Sequence, residues 1–445
     1  MNDETDEIPP RESDPAEVAP PLHELSEHAQ RRNSLVFIVN TSITYFVAPV
    51  FYIGLLHAAI VNALGYKDTI ANLPESVFMA MLPLPIFIAW IWPSTGHLRK
   101  MLVVNYFCKG TAGLVTACLF LAVPPSWQVA ALVLHAAVVG VTNGVTNMCL
   151  WELIGRGMSS VRRGWTLGIA FGVGPLFAVL GSCVSQLVLN GNFLGIIEVD
   201  PLPKPWSYAA LFAATGPAMF VSAAMVFLAH LPPPAAAEPA VGFAEVKRGL
   251  RQYFTHPLIL IAVCGFLLTS AGGNMILNNV ALYVRDATGE APEAYTGLQQ
   301  ALRYGCKSLF GLTLGFVLAR SQPKTPALAT TLICLAGVSW ALFVPGKWYL
   351  LSTGLLGAGE LYYVYYLNYI VACSPPERIR ENTAYTNVIA SAVSAMPLIY
   401  GWISDHHGLR SSFQLAAAIL VAAIVIVSLL LPPRPAPRIV RSTES

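Results

Sequence analysis

The sequence predicts an all-α polytopic membrane protein with 12 transmembrane helices, arranged as two six-helix bundles with both termini cytoplasmic. Three observations lead there. Hydrophobic residues make up 55% of the 445-residue chain and charged residues only 11%, less than half of the roughly 25% charged content of soluble chains. The apolar residues fall in runs near the length of about 20 that spans a bilayer. When those runs are taken alternately, 17 Lys and Arg residues fall on one side and 5 on the other, the bias expected of cytoplasmic loops. Arg31, Arg32, Arg99, Lys100, Arg162, Arg163, Lys247, Arg248 and Arg251 are on the rich side, whereas Lys67, Lys204, Arg285, Lys347 and Arg410 are on the poor one.

Residues 1–33 read as a disordered acidic cytoplasmic tail. Nine of the 24 acids precede residue 30, among many prolines, and such a segment has too little apolar content to order itself. It is acidic where a signal peptide is basic, so the first apolar run is expected to remain as a signal anchor. Spans are expected near 34–62, 73–93, 100–123, 127–154, 164–190 and 206–230, forming an N-terminal bundle over 34–230. A cytoplasmic linker follows over 231–255, opening with Pro232-Pro233-Pro234 and ending in a basic stretch. The C-terminal bundle, 256–431, holds spans near 256–284, 294–319, 326–344, 348–373, 382–403 and 411–431, and 432–445 is a second cytoplasmic tail.

Several spans carry helix-bending or close-packing residues. Gly164, Gly168 and Gly172 repeat every four residues on the fifth span, a small-residue stripe suited to helix contact. Pro49, Gly174-Pro175, Gly272-Gly273-Asn274 and Pro397 interrupt others. Freed backbone groups in a bilayer must face protein or water, so these breaks point either to a cavity or to packing kinks. The eight cysteines lie in or beside apolar runs without a C-x-x-C pair and read as small buried hydrophobes.

Charges within a span are costly enough to mark function. Glu360, in Gly359-Glu360-Leu361, lies near the centre of span ten. Lys307 lies near the centre of span eight, with Arg303 one turn away on the same helix face. Desolvation disfavours the charged form of a mid-depth carboxylate, which suits Glu360 to carrying a proton. The alternative is a permanent ion pair with Arg303 or Lys307. The two cations offer donors to a carboxylate or phosphate, and an anionic solute competing with Glu360 for them would couple solute to proton. Asn143 and Asn147 share a face of span four, and Asn274 and Asn278 share one of span seven. These amides serve either a polar solute or interhelical hydrogen bonds. Tyr363, three residues from Glu360, shares its face. Glu152 and Arg156, four apart at the inner end of span four, read as a structural or gating pair. Lys109 lies near the centre of span three, where it either snorkels or faces a neighbouring helix.

The loop between spans two and three reads Gly96-His97-Leu98-Arg99-Lys100. That between spans eight and nine carries Gly315, Arg320 and Lys324, and the stretch after span eleven has Gly401, Asp405, Gly408 and Arg410. With the six-plus-six plan and the long basic linker, these motifs resemble the major facilitator superfamily of secondary transporters over residues 34–431. The family's acid is absent from the first two loops. The resemblance implies that spans 1, 4, 7 and 10 line a central cavity, with 2, 5, 8 and 11 flanking it. It also gives Arg99 and Lys100 a gating role, and leaves Lys109 on a peripheral span.

The expected function is alternating-access transport of a small polar, anionic solute, with proton coupling. Efflux of amphipathic or drug-like compounds by an antiporter is the alternative within transport, and a sensor built on a transporter-like fold is the alternative outside it. No H-E-x-x-H, nucleophile elbow or phosphate-binding loop occurs, so no enzyme activity, cofactor or metal is expected. The expected partners are a small-molecule solute and the lipid bilayer of the cell membrane, with no nucleic acid, and the expected state is a monomer.

Overall fold

The computed structural model describes residues 25–84, 98–230, 243–374 and 379–434. Residues 1–24 of the acidic tail and the start of the linker therefore lie outside the described residues, whereas the end of the expected disordered tail is helical from Glu27, with Gln30 and Asn33 buried. Apart from a two-stranded hairpin pairing Asn192–Phe193 with Ile197–Glu198, the described elements are helical. In the first half of the chain they are α1 (Glu27–Phe51), α2 (Leu55–Ala63), α3 (Asp68–Ala71), α4 (Leu73–Met81), α5 (Leu98–Ala122), α6 (Pro125–Gly157), α7 (Ser160–Asn190) and α8 (Trp206–Val226). The second half has α9 (Phe243–Thr255), α10 (Pro257–Thr269), α11 (Leu277–Leu282), α12 (Val284–Thr288), α13 (Thr296–Arg320) and α14 (Lys324–Phe343). It continues with α15 (Leu351–Gly359), α16 (Tyr362–Cys373), α17 (Ile379–Ile389), α18 (Met396–His407) and α19 (Leu409–Leu430).

Local signals set the helix ends. The Ser26 hydroxyl accepts the Ala29 N–H at the start of α1, and the His256 imidazole accepts the Ile259 N–H at the start of α10, satisfying donors that a helix leaves unpaired. Pro125 and Pro257 occupy first-turn positions, where a missing N–H costs nothing.

Nine helical runs among the described residues are long and apolar enough to cross a membrane. Large side chains such as Val104, Phe107, Leu134, Leu176, Leu312 and Leu429 are exposed, as expected where lipid covers the surface. This is a multi-pass membrane protein. Of the spans expected above, 73–93, 294–319 and 348–373 are not among the nine. The first is described only in part, the second carries Arg303 and Lys307, and the third is interrupted at Glu360.

Buried apolar clusters largely follow the chain. One joins Val36, Tyr106, Val139 and Met219 within the first half, and another joins Tyr253, Phe266, Tyr366 and Val427 within the second. At one end, Asn33 holds the Gly157 and His230 carbonyls at 3.1 and 2.9 Å, and the Gln30 amide oxygen accepts the Ser159 N–H. At that linker end α9 docks through Tyr253, whose hydroxyl lies 2.6 Å from that of Thr386, while Lys247, Arg248 and Arg251 stay exposed.

The glycine spacing on α7 does not mark the tight contacts. A Cβ at Gly168 meets nothing within 4 Å and one at Gly172 meets only Leu312, whereas one at Gly181 would strike the Phe46 carbonyl of α1. A Cβ at Gly357 of α15 would likewise strike the Arg303 backbone of α13. The cysteines are also mixed: Cys149, Cys334 and Cys373 are buried, while Cys108 and Cys118 are exposed.

Overpacking a closed helix crossing costs about 1–3 kcal/mol. Gly181→Leu and Gly357→Val are expected to lower the thermal unfolding midpoint in detergent by several degrees, with Gly168→Ala close to neutral. Equal losses for all three variants would contradict this packing.

Candidate functional site

Three helix breaks come together inside the molecule. Between α1 and α2 the chain turns at Gly54, whose φ of +149° lies where a side chain is strained. Between α10 and α11 runs a five-residue π-helical segment, Ser270–Asn274, containing Gly272-Gly273. Glu360 and Leu361 interrupt α15 and α16, and the Tyr362 hydroxyl ties α16 to Ser270 at 2.8 Å. Pro49, the glycine pair and Glu360 are the sequence features that weaken the helices there.

A cluster of four charges occupies this junction. The Glu360 carboxylate accepts hydrogen bonds from Arg303 Nε and, at 2.8 Å, from Lys307 Nζ. Arg303 and Lys307 are one turn apart on α13, and Gly357 lets α13 lie close enough to α15 for both to reach. Side-chain exposure rises from 8% at Glu360 to 13% at Arg303 and 23% at Lys307. The cations thus form the accessible edge and the carboxylate sits behind them. Both Glu360 oxygens carry a cation, so the structure displays the paired state.

The fourth member, Glu75 on α4, is absent from the sequence reading. It is 9% exposed and hydrogen-bonded by Asn278. A Cβ built on Gly54 would lie 3.2 Å from Glu75 Oε2, 3.6 Å from Asn278 Oδ1 and 3.9 Å from Arg303 Nη1. Glu75 therefore brings a carboxylate from the first half of the chain into the neighbourhood of the Arg303 guanidinium. Its position directly after Pro74 gives it the appearance of an ordinary first-turn acid. The only sequence signal for a deeper role is that it opens an expected span.

The remaining candidates are dispersed. Asn143 is buried and accepts Lys109 Nζ at 3.3 Å, while Asn147, one turn on, is exposed. Asn274 is half-buried in the π segment. Tyr363 is 40% exposed and donates to Asn387 Oδ1 at 2.8 Å rather than to Glu360. Arg99 donates to the Ala229 carbonyl at 2.9 Å, and Lys100 is exposed. The side chains of Glu152 and Arg156 lie outside the described residues. No group of three or more His, Cys, Asp or Glu is placed to hold a metal among the described residues.

From the cluster a polar seam runs between the two halves to the end opposite the linker. Asn72 donates to Asn279 Oδ1 at 2.8 Å, and Asn279 donates to the hydroxyls of Ser404 and Ser412 at 2.8 and 2.9 Å. At the rim a reciprocal clasp closes the seam. Asp405 accepts the backbone N–H groups of Asp68 and Thr69 at 2.9 and 3.1 Å, and Asp68 pairs with Arg285 at 2.7 Å. Burial pushes the Asp68 carboxyl above its ordinary value, against the pull of Arg285. Helices α7 and α13 touch from this end, where Gln186 accepts the Gly297 N–H, to mid-length, where Ser308 donates to the Gly172 carbonyl. Beyond that, Gly168 and Gly315 have nothing within 4 Å of a built Cβ. The halves are thus joined at the far end, and open space lies beside these two glycines on the linker side.

Residues 268–445 match the family model of the Major Facilitator Superfamily. This is the major facilitator fold. A D-xylose-proton symporter structure superposes with a TM-score of 0.66 at 15% identity, covering 91% of this chain and 98% of that one. A point mutant of the nucleoside transporter NupG gives 0.64 at 12%, covering 90% and 99%. A peptide transporter POT in complex with sulfate gives 0.62 at 14%, covering 89% and 93%. No curated relative matches in sequence. The major facilitator resemblance read from the loops therefore holds, and the fold extends over the first half as well.

The clasp is testable through Ser76, which is 5% exposed and whose hydroxyl has no partner among the described residues. With Cys108 and Cys118 replaced by Ser, a Ser76→Cys reporter is expected to react severalfold faster with a soluble maleimide when Asp405→Ala is added. An unchanged rate would mean that the clasp does not hold the far end shut.

Proposed function

We propose that this protein is a secondary transporter of the cell membrane that moves a small polar solute bearing an anionic group, with a proton as its partner. Two six-helix halves, 34–230 and 256–431, rock about the charge cluster, and the termini and linker face the cytoplasm. On this reading the open space beside Gly168 and Gly315 belongs to an inward-facing cleft, and the Asp68–Arg285–Asp405 clasp is the outer gate. The basic residues at the linker end support this orientation.

The observation that carries the reading is the order of exposure in the cluster: two donors at the open edge, with their counter-charge behind them. An incoming carboxylate or phosphate meets Arg303 and Lys307 first. Adding an anion to a balanced buried cluster leaves one uncompensated negative charge, which is expensive in a low-dielectric site. A proton taken up by Glu360 as it releases the cations restores the balance. A sugar–proton symporter among the similar folds supports a proton as coupling ion. A cation-extruding pump is less well served, because the cluster offers no bare acid at its open edge.

The test is uptake into proteoliposomes of labelled succinate, glycerol 3-phosphate and glucuronate, with xylose and adenosine as uncharged controls. At least one anion is expected to accumulate under an inward proton gradient. Arg303→Ala and Lys307→Ala are each expected to reduce that uptake by about tenfold or more, with inserted, monodisperse protein. Normal anion uptake in both variants would sink the reading, as would uptake of the uncharged solutes alone.

Glu360→Gln keeps the shape and removes the titration. It is expected to lose gradient-driven accumulation while retaining anion exchange between the two sides of the vesicle. Undiminished accumulation would exclude Glu360 as the proton carrier.

A further inference from the structure

Lys109 stands apart from the central cluster. It lies on α5, is 1% exposed, and belongs to no ion pair among the described residues. Its ammonium lies 5.4 Å from the Phe51 ring centroid and 5.3 Å from that of Tyr106, and its Nζ–Asn143 Oδ1 bond on α6 measures 3.3 Å. Two ring faces and one neutral amide are modest compensation for a fully buried charge, whose desolvation is costly. Methionine would fill the same space without that cost.

The bond to Asn143 supplies a reason. A lysine ammonium has donors and no acceptor, so it can hold only the carbonyl end of the amide. The Asn143 amide therefore cannot flip, and its two N–H donors are directed away from α5. They meet no acceptor among the described residues, and Nδ2 is not among the sealed, unpartnered atoms. Asn147, four residues on and on the same face, is exposed. That face lies roughly opposite Leu134, which is 58% exposed on the outward apolar side of the helix. The Asn143–Asn147 face thus looks toward the interior of the molecule.

We propose that Lys109 is a positioning residue that locks Asn143 as a hydrogen-bond donor to the solute. The inference rests on the transport reading above and narrows its substrate class. Arg303 and Lys307 are donors from the second half, and Asn143 is a donor from the first. A solute bridging the halves must then carry acceptors at both ends: an anionic group for the cations, and a second carboxylate, hydroxyl or carbonyl oxygen for Asn143. A dicarboxylate or a hydroxylated acid fits, and a one-ended carboxylate of the same length does not.

The experiment uses full-length protein in proteoliposomes, with whichever of succinate, glucuronate and glycerol 3-phosphate the wild type takes up best. Lys109→Met is expected to raise KM about tenfold, with the maximal rate within about twofold and an equal or higher unfolding midpoint in detergent. Inhibition by butyrate, which has one acceptor end, is expected to stay unchanged. Asn143→Asp places a carboxylate beside the ammonium, and is expected to raise the midpoint while lowering uptake. If Lys109→Met does not yield monodisperse protein, Lys109→Leu is read in the same way. A lowered midpoint with an unchanged KM would make Lys109 structural and overturn the proposal. So would equal weakening of the two-ended solute and of butyrate. A wild type that takes up no anion removes the transport reading itself, an outcome separate from any effect confined to the variants.

Discussion

A bilayer solvates neither a broken backbone nor a charge, and that constraint organises this molecule. Three helices are interrupted, at Gly54, at Ser270–Asn274 and at Glu360, and all three interruptions meet around Glu75, Arg303, Lys307 and Glu360. Each feature makes the others tolerable. The carboxylates need the cations, the cations need helices that approach closely, and the freed backbone needs polar surroundings. Gly357 and Gly54 are the places where a single methyl group would disturb the arrangement.

The same cluster links chemistry to shape. Arg303 meets Glu360 within the second half and faces Glu75 across the boundary between the halves. Its guanidinium is therefore both the proposed solute contact and a charge shared by the two halves. The amide seam through Asn278, Asn279 and Asn72 continues that join to the clasp at the rim. The boundary between the cluster and the rim is thus polar along its described length, from Asn278 through Asn279 and Asn72 to the Asp68–Asp405 contacts.

Much of the fold was legible because hydropathy and basic-residue bias are sums over many residues and survive local exceptions. The exceptions among the expected spans are informative. Span 294–319 is too charged to register as a membrane helix, and span 348–373 is broken at its acid, so the segments least like membrane helices are those that hold the cluster. The pairing of Glu360 with Arg303 and Lys307 was legible from depth alone. Glu75 was not, because its depth is set by Gly54 on another element. Lys109 was equally opaque, since its partner Asn143 lies 34 residues away on the next helix. The glycine stripe on α7 misled for the same reason: spacing describes one helix, whereas contact at Gly181 depends on the backbone of Phe46.

The central claim is that an anion and a proton enter the cluster together, so that its net charge is conserved. The direct measurement is proton uptake when purified protein binds its preferred anion in lightly buffered solution. The account predicts close to one proton taken up per negative charge that enters the cluster, hence one per glucuronate bound, and none when Glu360 is replaced by Gln. Anion binding by the wild type with no proton uptake would contradict it.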